Sequence, residues 1–146
     1  GGAVAESAAA GLVFQPLSYT ELVPAGGQGI IAVECRSADS DTKQLLAACN
    51  DSATFAQFAV ERYLLSCLNA GCQAPTAVFS QLAAGAGGEG AAPVVATLTI
   101  IEERNEKPRR RELSGAVGTA ESLFAGDYRK LYALADALLA QGDAHE

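Results

Sequence analysis

Four thiols, Cys35, Cys49, Cys67 and Cys72, are the most reactive side chains in this 146-residue sequence. No two of them are spaced as Cys-x-x-Cys, and the one histidine, His145, sits in a polar tail. The ligand spacing of a zinc site is therefore missing, and no metal is expected. Lasting disulfides need an oxidising compartment, to which nothing in the sequence points. Cys35, Cys49 and Cys67 accordingly read as small buried hydrophobes, Cys35 on a strand and the other two within helices. Cys72 differs in its setting: it follows Asn69-Ala70-Gly71, the stop signal of a long helical pattern, so it opens a loop. The negative end of that helix disfavours a thiolate, so the dipole alone does not make Cys72 acidic. On residue type alone, Cys72 reads as a partly buried structural cysteine.

Two further groups invite a functional reading. Gln28 lies inside the glycine-rich stretch Pro24-Ala25-Gly26-Gly27-Gln28-Gly29, where it either faces a ligand or simply belongs to a turn before a strand. The run Lys107-Pro108-Arg109-Arg110-Arg111 has the composition of a nucleic-acid patch. The whole chain, however, carries a formal net charge of -7, which repels phosphate backbones. The basic run is better read as a solvated turn and an edge strand kept soluble by charge.

The elements that must position these groups follow from periodicity. Gly1 to Gly11 lacks large apolar side chains and reads as a frayed helix end or a disordered segment. Ile30 to Cys35 reads as a strand covered on both sides. Asp41 is the expected cap of a short helix to Asn50, with Gln44 at the capping-box offset. Ala53 to Leu68 has a helical pattern with Phe55, Phe58, Ala59, Leu65 and Leu68 on its buried face. Strands are expected at Ala77–Leu82, Val94–Ile101 and Arg110–Ala116, joined by a Gly/Ala loop at 83–92 and a turn at 105–108. A last helix, Asp127 to Gln141, carries the stripe Tyr128, Leu131, Leu134, Ala135 and Leu138. The sum is an α+β fold: a small antiparallel three-stranded sheet with helices packed on one face.

A hydrophobic fraction of 49% is that of a globular chain, and the length suits one domain plus a remnant. Residues 1–40 are expected to be the remnant and 41–146 the domain. No apolar run approaches the ~18 residues that span a bilayer, and no signal peptide is evident at the start, which makes the cytoplasm the default location.

Several blocks bring a family into view. Pro24 to Gly29 followed by Val33-Glu34-Cys35-Arg36 resembles the "LPAxGQGxxxxExR" stretch of porphobilinogen deaminases (hydroxymethylbilane synthases). Leu45-Leu46-Ala47-Ala48-Cys49-Asn50 is similar to that family's "LLAxLN", and Val60-Glu61-Arg62 to its "AER". Ala70-Gly71-Cys72-Gln73-Ala74-Pro75 resembles "GGCxxP". The four blocks stand in family order over roughly residues 22 to 82, and blocks in register are far more specific than any one alone. Ala77 stands where the family usually has glycine, and the 83–92 insert is unusual.

The resemblance implies a transferase of tetrapyrrole (heme) biosynthesis that joins four porphobilinogen molecules into hydroxymethylbilane. It implies a dipyrromethane cofactor held through a thioether on Cys72, with Gly71 and Gln28 as further cofactor-contacting residues. Cysteine suits that task, because its thiolate is a strong nucleophile and the carbon–sulfur bond is durable. Cys72 should then be the most accessible of the four thiols. The family's catalytic aspartate and carboxylate-binding arginines belong to a part that the resemblance places before this chain, so no catalytic residue is assigned here and the chain alone should be inactive. Porphobilinogen would be met through those other domains, and the strand 30–35, left uncovered, would pair in a homodimer or lose its order. Neither nucleic acid nor membrane is expected as a partner. A non-enzymatic small-molecule or partner-binding module is the competing reading, and cofactor mass on Cys72 separates the two.

Overall fold

Alternation of apolar and polar residues in three long strands decides where the core lies. The computed structural model describes residues 5–6, 13–71, 74–84 and 93–143. Cys72, Gln73 and most of the 83–92 insert lie outside the described residues. In chain order the elements are β1 (Ala5–Glu6), β2 (Val13–Phe14), α1 (Ser40–Ala47), α2 (Ser52–Cys67), β3 (Thr76–Ala84), β4 (Pro93–Arg104), β5 (Lys107–Thr119), α3 (Ala120–Phe124) and α4 (Arg129–Asp143). β3, β4 and β5 form an antiparallel sheet in that order, and β1 pairs with β2 in a separate two-stranded ladder. The α+β fold expected from the sequence is the fold observed.

Every second residue of β4, Ala96, Leu98 and Ile100, is fully buried, as are Val78 of β3 and Val117 of β5. Against them pack Ala56, Val60 and Leu64 of α2, Leu123 of α3, and Leu131, Ala135 and Leu138 of α4. On the other face, Thr97 pairs with Ser114 across the strands, and the Thr99 hydroxyl donates to Glu112 Oε2 at 3.1 Å. The strands thus keep the period-2 pattern of a sheet with one face on the core. A register shift at Val94/Val95 lets Val117 turn into the core beside Gly118, whose φ of 127° suits a residue without Cβ. The β4–β5 connection is two residues, Asn105 and Glu106, with φ of 53° and 61°, the positive pair that a twisted tight hairpin requires.

Several expectations are corrected. The sheet strands begin and end beyond their expected limits, because hydrogen-bonded pairing continues until the turn residues intervene. α3 was not expected; the Thr119 hydroxyl accepts from Ser122 N and caps it. Ala5–Glu6 forms a short strand rather than a frayed helix. α1 is capped by Asp39, not Asp41, since the Asp39 carboxylate accepts from Thr42 N at 3.0 Å. The buried face of α2 runs through Ala56, Val60 and Leu64, and Phe55 is exposed, because the helix turns its small and branched residues toward the sheet. Cys67 lies off that stripe and is exposed; Cys49 is also exposed and Cys35 is half-buried, so none is the buried hydrophobe expected. The strand expected at Ile30–Cys35 does not form. Residues 31–36 are not assigned to any regular element, and Ile31 and Val33 are 88% and 66% exposed. A strand needs a ladder partner, and none lies beside this segment among the described residues.

One buried charge ties the two ends of the domain together. Arg111 of β5 donates through Nη1 to the carbonyls of Leu138 and Leu139, both at 3.0 Å, and through Nη2 to Glu102 Oε2 at 3.1 Å. Its guanidinium therefore satisfies carbonyls in the last turns of α4, where a positive charge also suits the helix dipole. Gly142 makes room for it: a Cβ there would stand 2.6 Å from Arg111 Nη1. Glycine in a helix ordinarily gives way to alanine with a gain of up to about 1 kcal/mol. Gly142→Ala is expected to reverse that sign and lower the melting temperature, and Leu64→Ala to cost about 2–5 kcal/mol in denaturant titration. An alanine at 142 that raised the melting temperature would show that the guanidinium does not need this space.

Candidate functional site

The glycine-rich turn is held to the domain by a carboxylate. Two of its glycines take positive φ, Gly27 at 77° and Gly29 at 81°, which lets the chain reverse within a few residues. Gln28 locks the turn from within: its backbone N donates to Ala25 O at 3.0 Å, and its Oε1 accepts from Ala25 N at 3.1 Å. Gly26 lies tight against α2 and β3, because a Cβ there would meet Leu65 Cδ1 at 2.8 Å. Gly27 N then donates to Glu61 Oε2 at 2.6 Å.

Glu61 is 5% exposed, the one charged side chain among the buried residues of α2. Its second oxygen, Oε1, accepts from Ser80 N at 2.9 Å and from the Ser80 hydroxyl at 2.8 Å. One turn earlier on α2, Gln57 Nε2 donates to Ser80 O at 2.7 Å. A buried carboxylate is tolerable only when donors converge on it, and here three do. The result is a three-way joint of turn, α2 and β3.

Upstream of the turn the chain runs over the opposite face of the sheet. Tyr19 stacks on Phe79 with ring centroids 3.8 Å apart, and Val23 is buried. Residues 19–27 therefore wrap the edge strand β3 from its outer face to α2. Between this strap, α2 and β3 lies an open cleft of about 390 Å³, lined by Gln28, Gln57, Glu61, Ser80 and Gln81 with Tyr19 and Phe79 among its walls. Such a lining offers amide and hydroxyl groups for hydrogen bonding beside aromatic surface.

Gly71 stands elsewhere, past the end of α2, and does not line that cleft. The helix stops through Asn69 rather than Gly71. Asn69 takes the left-handed conformation at φ 50°, its N donates to Ser66 O at 3.1 Å, and Ala70 N donates to Leu65 O at 2.9 Å. This is the paired C-terminal bonding in which glycine is usual and asparagine is the common substitute. Gly71 is left exposed, with open space where a Cβ would project. Cys72 itself lies outside the described residues. The turn of Gln28 and the stop before Gly71 are nevertheless carried by one helix, since α2 supplies Glu61 and Leu65 to the first and Leu65 and Ser66 to the second.

No protein-family model matches the chain. Curated proteins do. A porphobilinogen deaminase of Mycobacterium leprae is 45% identical over 78 residues, covering 53% of this chain and 25% of that protein. Porphobilinogen deaminases of Streptococcus sanguinis and Bacillus mycoides are 47% and 45% identical over 70 and 71 residues, covering 48% and 49% of this chain. About half of this chain is homologous to porphobilinogen deaminases. The matched stretch spans about a quarter of the length of those deaminases, each of which is covered to 23–25%. The resemblance carried by the four sequence blocks is thereby borne out.

Glu61, Ser80 and Gln57 were not singled out as site residues in the sequence. One signal was present: a carboxylate among Val60, Leu64 and Ala56 on the same helix, where charge demands a partner. Replacing Glu61 by glutamine tests the joint, because in either amide orientation an NH₂ group confronts a backbone N–H, that of Gly27 or of Ser80. Glu61→Gln is expected to destabilise the chain by about 1–3 kcal/mol and to speed amide exchange at Gly27. Unchanged stability and exchange would mean that the turn is held by its own bonds.

Proposed function

We propose that this chain is the part of a porphobilinogen deaminase that bears the cofactor cysteine, with Cys72 as the attachment point of dipyrromethane. In this reading residues 1–40 are the remnant of preceding domains and 41–146 are the attachment domain. The observation that carries it is the 45–47% identity to curated porphobilinogen deaminases over about half of the chain. The whole protein would then join four porphobilinogen molecules head to tail, releasing one ammonia per unit and giving hydroxymethylbilane after hydrolysis from the cofactor.

The described residues fit a tethered group. The stop at Asn69 ends α2 by its own backbone bonds, so the loop after it is not needed to close the helix. Gly71 is exposed with no side chain or neighbour crowding it, which leaves room for a bulky substituent on the next residue. When bound, dipyrromethane would supply an electron-rich pyrrole terminus for chain extension. This chain's own part is to anchor and orient: Glu61 and Gln57 fix α2 to β3, and α2 fixes the start of the loop. Gln28, locked in its turn, lines the cleft and is, with Gly71, a further cofactor contact in this reading. Acid–base catalysis is assigned to the rest of the protein, because it requires a positioned group with a matched pKa and no carboxylate here is assigned that role.

Two experiments test the proposal. In the full-length protein, intact mass should show the dipyrromethane adduct, and peptide mapping should place it on the peptide containing Cys72. Cys72→Ser should abolish loading and turnover while leaving stability within about 0.5 kcal/mol; an adduct on another residue would overturn it. The 146-residue chain alone should produce no linear tetrapyrrole in a porphobilinogen assay.

The uncovered stretch Ile30–Cys35 is assigned to self-association of the isolated chain. Two large apolar side chains are exposed there on a segment without a ladder partner, the kind of surface that recruits another chain. Light scattering should give a dimer, and Val33→Glu should return it to a monomer. A monomer before substitution would remove this assignment.

A further inference from the structure

A second groove of about 360 Å³ separates the extended segment from α1, and two thiols share it: Cys35 from the segment and Cys49 just past the helix. Ile31 and Val33 line one side and Leu46 the other, and Lys43 is the only charged residue in the lining. Both cysteines are free thiols, Cys49 exposed and Cys35 half-buried, so both are within reach of solvent. The ammonium of Lys43 donates to the carbonyl of Ser37, in the turn that leads into α1.

The two sides of the groove differ in how firmly they are held. α1 is capped by Asp39 and closed by Ala48 N donating to Leu45 O, followed by Cys49 N donating to Leu46 O. Among the described residues, no backbone hydrogen bond involves Ile31 to Cys35 apart from the turn that precedes them. Such a segment moves at little enthalpic cost. A disulfide needs Cα atoms roughly 4.4–6.8 Å apart, and a segment free of ladder bonds can adjust to that where a strand could not.

We propose that Cys35 and Cys49 form a reversible dithiol–disulfide pair that clamps the segment onto α1 under oxidation by a small disulfide such as oxidised glutathione. One thiolate attacks the glutathione disulfide, forming a protein–glutathione mixed disulfide and releasing one glutathione thiol. The other protein thiolate then displaces the second glutathione, each protein thiol having given up its proton to solvent or to the departing thiolate. Two electrons pass from the protein dithiol to one glutathione disulfide, which leaves as two thiols. The clamp sets the segment against α1 and withdraws Ile31 and Val33 from pairing with any other chain. It does not depend on the deaminase reading, because it uses neither Cys72 nor a tetrapyrrole.

The test separates this pair from all others by digestion alone. Cleavage after lysine and arginine places Cys35 in the peptide 1–36, Cys49 in 44–62, and both Cys67 and Cys72 in 63–104. The reduced chain is equilibrated with mixtures of oxidised and reduced glutathione, quenched by acid, alkylated and digested without reduction. Peptides 1–36 and 44–62 should appear joined, and dithiothreitol should separate them. With an effective concentration on the order of 1 mM, the joined form should exceed the mixed disulfides about tenfold at roughly 0.1 mM free glutathione. Cys49→Ser should leave Cys35 arrested as its glutathione adduct. If 1–36 or 44–62 is found joined to 63–104 instead, or if both thiols end as separate glutathione adducts in the unaltered chain, the proposal fails.

Discussion

The carboxylate of Glu61 is the constraint on which the arrangement of this chain depends. Burying an ion away from water is costly unless hydrogen bonds replace the lost hydration. Glu61 receives them from three groups on two other elements: Gly27 N, Ser80 N and the Ser80 hydroxyl. The Ser80 hydroxyl also reaches the Gln57 carbonyl, at 3.4 Å, which ties the same strand residue to α2 a second time. The joint therefore fixes α2 on β3 and, through Gly27, fixes the strap that wraps the sheet edge. The short approach of Gly26 to Leu65 and the stacking of Tyr19 on Phe79 follow from a path that the joint has already set.

Arg111 performs a comparable service on the same face of the sheet, at the opposite edge strand. It joins β5 to the last turns of α4, while Glu102 on the neighbouring strand balances its charge. One buried charge joins α2 to β3 and the other joins β5 to α4, so neither is carried by the central strand. The central strand β4 accordingly stays almost wholly apolar on its core face, with Ala96, Leu98 and Ile100 fully buried. Between α2 and α4 the contact is aromatic, Tyr63 tilted against Tyr132 at 4.8 Å. The Tyr63 hydroxyl donates to Asp136 Oδ1 at 2.6 Å, and that bond to a carboxylate holds the phenol above its ordinary pKa.

The packed domain and the segment before it are built differently. α1 buries none of its residues and the stretch from Ile31 to Arg36 joins no sheet, whereas everything from α2 onward encloses one core. α2 ends in a self-contained C-terminal stop, Asn69 N donating to Ser66 O and Ala70 N to Leu65 O, so its end is fixed without help from the residues that follow.

How much of this was legible beforehand depended on the range of the interactions. The three sheet strands and α2 and α4 followed from local pattern: β-branched alternation around Val94–Ile101, and the stripe of Leu131, Ala135 and Leu138 at helical spacing. The four motif blocks likewise carried the relationship to porphobilinogen deaminases, because a motif is written in adjacent residues. Ile30–Cys35 failed as a strand, although its composition suits one, since a strand exists only where another strand stands beside it. The buried face of α2 was misjudged at Phe55 for a related reason: periodicity offers two adjoining stripes, and only the sheet decides which is covered. By itself the sequence determined the three sheet strands, α1, α2 and α4, the fold class and the family likeness, all of which rest on local propensity and contiguous identity. The tertiary structure alone decided that Glu61 is a joint, that Asn69 rather than Gly71 ends α2, and that Cys35 and Cys49 share a groove, because each depends on the path the backbone takes in space, and residue spacing does not encode that path.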